Sequence, residues 1–237
     1  MPAGGADPIG QLAARIAEAA PELRRGAVVL VDSPRSPREG PHERDLDIAL
    51  RATVTRLNLG RAPRRRIALS MFPTPQIEYF ARCAADPGCK PHLKALAISV
   101  LGCEMPRESK KRKVGGWIFT RFMIAGFAVY RALELLEAAA HECYPYLVFS
   151  LAAPGPLPSK SRRRAALESR RRILARMSAR SGICLAPPAS LDEADAAVMA
   201  MAAHAARGVL VIKSRTSGSF LLPLIDGDAA SAAIPRA

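Results

Sequence analysis

The stretch that most constrains this chain is Ala27-Val-Val-Leu-Val-Asp32, followed at once by Ser33-Pro34-Arg35-Ser36-Pro37. A run this short and this rich in β-branched residues favours an extended strand over a helix. Its unbroken apolarity predicts a strand buried on both faces, as in parallel or mixed sheets covered by helices. Such sheets bind their ligands at the carboxyl ends of the strands. Asp32 stands at that end. A carboxylate before Ser-Pro is a ready turn-former; at a strand end it also suits a metal or acid/base role.

What flanks the strand is mostly helical. Ile9, Leu12, Ile16 and Ala20 repeat at helical spacing until Pro21 stops the run. A second helical pattern runs from Glu43 to Leu57 through Leu46, Leu50 and Val54, and a long helix is expected over 117–140, ending near His141. Residues 67–72 are expected to be extended, and Pro145 to Leu151 to be strand-like or turn-like. Lys110-Lys-Arg-Lys113 with Gly115-Gly116 is expected as a flexible basic connector. Residues 191–206 form an Ala-rich helix, and 209–212 with 220–222 a closing hairpin. The expected class is α/β, a mixed sheet flanked by helices, in one domain over 9–225, with flexible tails at 1–8 and 226–237.

Charge narrows the partners. Lys and Arg number 35 against 21 Asp and Glu, a balance that suits a polyanion, with nucleic acid first. Residues 159–180 concentrate it: nine basic side chains against Glu168 alone, with Ala166, Leu167, Ile173, Leu174 and Met177 at helical spacing. Lys160, Arg163, Arg170 and Arg171 are the candidate nucleic-acid contacts. Arg170 falls between Ala166 and Ile173 on the apolar stripe, so it should reach inward, where a guanidinium needs an anionic partner. Five cysteines without a regular framework fit a reducing cytoplasm. The start carries no signal-peptide pattern, and the most apolar window, Trp117 to Tyr130, includes Arg121 and is too short to span a bilayer. A cytoplasmic protein with no membrane segment is expected.

The carboxylates that could carry chemistry are Asp32, Glu142, Asp192 and Asp195. Asp192 and Asp195 lie three apart at the start of the Ala-rich helix, so both can point to one site. Asp192 also suits a helix cap, whereas Asp195, among closely packing alanines, needs a partner or a metal. Cys83, Cys89 and His92 are metal-capable types whose spacing matches no standard zinc pattern. The sequence has no phosphate-binding Gly-rich loop, no nucleophile elbow and no His-Glu-x-x-His.

In order along the chain, several landmarks resemble the family called domain of unknown function 429, described as predicted nucleases with an RNase H-like fold. They are Val28-Val-Leu-Val-Asp32-Ser-Pro34, Arg44-Asp45 with Arg51, Met71-Phe-Pro-Thr-Pro75, and Phe119 to Tyr130. Glu142-Cys-Tyr-Pro145 leading to Phe149, Ser159-Lys160, Arg170 to Leu174, and Asp192-Glu-Ala-Asp195-Ala196 complete the set. The resemblance implies a metal-dependent phosphodiesterase in which acidic residues hold two divalent ions, Mg2+ or Mn2+. Carried over, Asp32, Glu142, Asp192 and Asp195 are the ligands, with Asp32, Glu142 and Asp195 catalytic. The family opens on a strand carrying Gly-x-Asp, and no such segment precedes residue 9 here. The resemblance therefore implies a sheet incomplete at its front, whose open edge needs its own hairpin, a second copy or another partner, and leaves a non-catalytic nucleic-acid-binding or structural remnant of the fold as the alternative.

Overall fold

The structure is a computed structural model describing residues 7–23, 27–38, 40–59, 61–63, 66–67, 74–86, 88–102, 117–205, 208–214 and 218–224. The basic connector at 110–116, the two tails apart from 7–8, and all of the 67–72 segment except Ile67 lie outside these residues. The class is mixed α/β. Among the described residues eight helices and four strands occur, one strand pair parallel and one antiparallel. They cluster into two compact units. The first draws on 1–45, 73–142 and 215–218, and the second on 46–72, 143–214 and 219–237.

In the first unit, α1 (Pro8–Ala19) starts where Asp7 accepts the Ile9 N–H at 3.1 Å, with proline at the first helical position. Its apolar stripe, Ile9 and Ala13 with Leu12 and Ile16, packs on Ala128 and Ala132 of α5 (Trp117–Leu135). Between them in sequence are β1 (Val28–Val31), α3 (Ile77–Ala84) and α4 (Pro91–Leu101). Phe80 of α3 meets Phe127 of α5 edge-to-face at 5.1 Å, and Ala97, Leu101, Met123 and Ile124 close the core around them. Gly126 of α5 lies against the turn after β1. A Cβ there would collide with the Ser33 hydroxyl, and the Tyr130 hydroxyl donates to the Ser33 carbonyl at 3.2 Å.

Helix α5 stops earlier than its apolar pattern predicts. The Ala138 N–H reaches the Leu133 carbonyl and the Glu137 N–H the Glu134 carbonyl, with Glu137 at a φ of 56°. This left-handed termination normally takes glycine. Without one, the sequence gives no stop signal. Residues 139–142 thereby become β2 (Ala139–Glu142), parallel to β1 with Val28 opposite Ala139 and Val31 opposite Glu142. The expectation of a β1 buried on both faces is corrected: Val28 is 61% exposed and the other three side chains are half-buried. A neighbour made of Ala-Ala-His-Glu offers little apolar surface to cover them.

The second unit holds α2 (Asp45–Asn58) apart from its first residue, α6 (Pro145–Ala152), α7 (Arg163–Ser181), α8 (Leu191–Ala205) and the hairpin β3 (Gly208–Lys213) and β4 (Ser219–Leu224). The hairpin forms as its sequence predicts, with Ile212 opposite Phe220. Segment 145–151 is a correction, being helical rather than strand-like. Pro145 takes the first helical position, and a short apolar run carries no periodicity to separate the two states. Leu147, Val148 and Phe149 are all buried because α7, α8 and β4 each pack on α6. Leu46, Leu50, Val54 and Leu57 give α2 its buried stripe, and Asn58 clasps the backbone of Ile67 through both its amide atoms.

Candidate functional site

In the first unit the parallel register sets Asp32 and Glu142 at the same strand ends, since Asp32 follows the residue opposite Glu142. Asp32 is half-buried and Glu142 is buried. Glu142 is fully engaged. Its Oε1 accepts the Arg35 N–H at 2.7 Å and Arg44 Nη1 at 2.7 Å, while Oε2 accepts Arg44 Nη2 at 3.0 Å. The side chains of this bidentate pair are 4% and 8% exposed. The carboxylate therefore ties the turn after β1 to the end of β2, and the fork geometry explains arginine at position 44.

A second charged group lies alongside. Arg35 stacks over the Tyr130 ring at 5.8 Å and donates from Nη2 to Glu134 at 2.7 Å; Arg131 Nη1 donates to the same carboxylate at 3.0 Å. Burial alone would raise the Glu134 pKa, but the two guanidiniums together hold it below its ordinary value. Burial, reinforced by the charge of Arg35, lowers that of His141.

In the second unit Asp195, 5% exposed, has the partner its setting demands. Lys160 Nζ donates to Oδ2 at 2.6 Å, and Arg170 Nε lies 3.5 Å from Oδ1. Arg170 does reach inward. It is wholly buried, its guanidinium carbon is 5.3 Å from the centroid of the Phe149 ring, and Nη1 donates to the Ala166 carbonyl at 3.3 Å. Its Nε and Nη2, and Asp195 Oδ1, make no hydrogen bond. Asp192 is exposed and does not cap. Ser190 does that: its hydroxyl accepts the Glu193 N–H at 3.1 Å, and Glu193 Oε2 takes the Ala189 N–H at 2.7 Å. Ser190-x-x-Glu193 is the capping-box signature, here reaching one residue further back, and it was legible in the sequence.

Of the remaining basic candidates, Lys160 and Arg163 are exposed and Arg171 is half-buried, its Nε donating to the Pro188 carbonyl at 2.8 Å. Arg162, Arg164, Arg172, Arg176 and Arg180 are exposed as well. Thus Asp32 and Glu142 fall in one unit, while Asp192, Asp195 and the basic set fall in the other. Among the described residues no group of three or more His, Cys, Asp or Glu side chains is placed to hold a metal ion. Cys83 and Cys89 are buried and burial raises both thiols, so neither is poised as a thiolate. Arg35 and Glu134 carry no role in the sequence reading, and Arg44 enters it only as a landmark of the resemblance, not as the partner of Glu142. Arg35 is marked only by charge within a Pro-rich turn and Glu134 only by charge on a helix, signals shared by many surface residues.

No helix among the described residues is long and apolar enough to cross a membrane. No protein-family model, curated protein or solved structure matches the chain.

Proposed function

We propose that this chain binds nucleic acid through the exposed face of α7 and its lead-in, as a protein of the RNase H-like kind that the domain of unknown function 429 resemblance implies. One observation supports the reading most: Lys160, Arg162, Arg163, Arg164, Arg172, Arg176 and Arg180 are all exposed on one helix and its approach. Cations so spaced neutralise phosphates and release counterions, which gives affinity without sequence preference. The test is the salt dependence of binding to a labelled oligonucleotide. Affinity should fall steeply between about 50 and 200 mM salt, and replacing three of these arginines with glutamine should flatten the slope by about three. Salt-insensitive binding, or none at low salt, would refute it.

The second reading, a phosphodiesterase using Mg2+ or Mn2+, is favoured by Asp32 and Glu142 standing at the same ends of two parallel strands. The donors fit it poorly as they are held. Arg44 and the Arg35 N–H occupy Glu142, and Lys160 occupies an oxygen of Asp195, so an ion would have to displace cations already paired. We therefore place binding ahead of cleavage. Cleavage that requires Mg2+ or Mn2+ and disappears in Asp32→Asn would reverse that order.

A further inference from the structure

A groove of about 470 Å³ runs along α7 beside the segment that follows it. Its apolar lining includes Leu174, Leu185 and Pro188 with the exposed Ala175, and Arg171 and Arg172 stand at its rim. We infer that this groove receives one unstacked base of a single-stranded nucleic acid, so that the chain prefers single strands to duplex.

The inference rests on the nucleic-acid reading and adds a subsite to it. Three observations carry it. The volume lies in the range of small-ligand sites, about 300–1,000 Å³, rather than that of an extended protein interface. The apolar lining is aliphatic, which suits a planar ring that has two apolar faces and needs no particular hydrogen bonds to be held. The rim is cationic and partly fixed, because the Arg171 Nε–H is held by the Pro188 carbonyl at 2.8 Å. A guanidinium held in this way, on a residue that lines the groove, is a stacking surface for a base.

The surroundings match the rest of a nucleotide chain. Arg164 is in the helical row of Glu168, Arg171 and Ala175, and Arg172 and Arg176 lie on the adjoining row, so phosphates on either side of the seated base meet positive charge. Glu168 also lines the groove, but Arg172 Nε stands 3.5 Å from it and offsets its charge. A duplex keeps its bases stacked and paired inside, so it could use the arginines and not the groove.

The experiment uses the full chain and measures fluorescence anisotropy with a labelled oligothymidine of about 15 nucleotides and a duplex of the same length. Ala175→Phe and Ala179→Phe fill the groove from exposed positions without altering charge; thermal melting checks that both variants fold. The expected result is an affinity for single strand about tenfold lower in each variant, with duplex affinity unchanged within about twofold. Arg176→Gln, outside the groove, should weaken both alike. Equal loss for both ligands, or no loss for either, would overturn the subsite while leaving polyanion binding intact. An acidic, leucine-rich peptide that binds the wild type, is blocked by Ala175→Phe and does not compete with the oligonucleotide would assign the groove to a protein partner instead. No binding of either nucleic acid by the wild type at low salt would bring down the subsite and the nucleic-acid reading together.

Discussion

Two buried arginine–carboxylate pairs, one in each unit, are built to different standards. Arg44 and Glu142 meet as a fork on a fork, and a backbone N–H fills the remaining share of the carboxylate. Arg170 and Asp195 stand 3.5 Å apart with guanidinium nitrogens and a carboxylate oxygen unbonded, and Lys160 draws the other oxygen outward. A buried pair recovers its desolvation cost only when its geometry is good and its spare lone pairs are filled. The first pair meets that condition and works as a clasp. The second does not, and its carboxylate is divided between an exposed cation and an enclosed one.

The comparison is broken most severely at the clasp. Arg44→Met leaves Glu142 charged and enclosed, and should cost about 3–5 kcal/mol in a urea melt followed by circular dichroism. Beside it, Gly126→Ala should cost about 1–3 kcal/mol, because the added methyl meets Ser33 and must push the turn away. At the looser pair, Asp195→Asn should cost about 1–3 kcal/mol, as Arg170 has fewer bonds to lose. The joint replacement Arg170→Met with Asp195→Leu should restore stability to within about 1 kcal/mol of wild type or exceed it. Failure of that rescue would mean that the slack pair is worth more than its geometry indicates.

The smaller effects sharpen the picture. Ser190→Ala removes the cap of the helix that carries Asp195 and should cost about 1 kcal/mol, whereas Asp192→Ala, exposed and not capping, should be near neutral. The smallest effect is on pH. Glu134 and His141 both titrate lower in the fold than in the unfolded chain, so each contributes stability above its ordinary value and loses it as pH falls through the folded one. Thermal stability should decline below the ordinary histidine value of 6.5, and again below 4.5 as Glu134 protonates. The Glu134 share is under about 1 kcal/mol because its ion pairs are part-exposed. A melting temperature that rises on acidification would contradict both assignments.

What the sequence made legible follows the strength of its local signals. The inward turn of Arg170 and the need of Asp195 for a partner were both readable from one polar residue on an apolar helical stripe. The 209–222 hairpin and the α1 stripe were readable from their periods. Segment 145–151 was not, because seven residues that are apolar but for Ser150 fit either state until their neighbours choose. Nor was the end of α5, where a glutamate takes the conformation that usually marks a glycine. The clasp was invisible for another reason: Arg44 and Glu142 stand 98 positions apart, and nothing local in either marks the other.

That separation has a consequence in time. The parallel pair β1 and β2, and the carboxylate that fastens the turn beside it, bring together residues up to 111 positions apart. A ribosome adding about 5–20 residues per second needs about 5–20 s to cover that distance. Throughout that interval Val28 to Val31 have been made and β2 has not. Contacts of this reach also lengthen the search for the native arrangement after the chain is released. The pairing of β1 with β2 can therefore close only after α3, α4 and α5 have been made, with β1 held waiting for a partner, and that interval is when an apolar strand is most exposed to pairing with another chain.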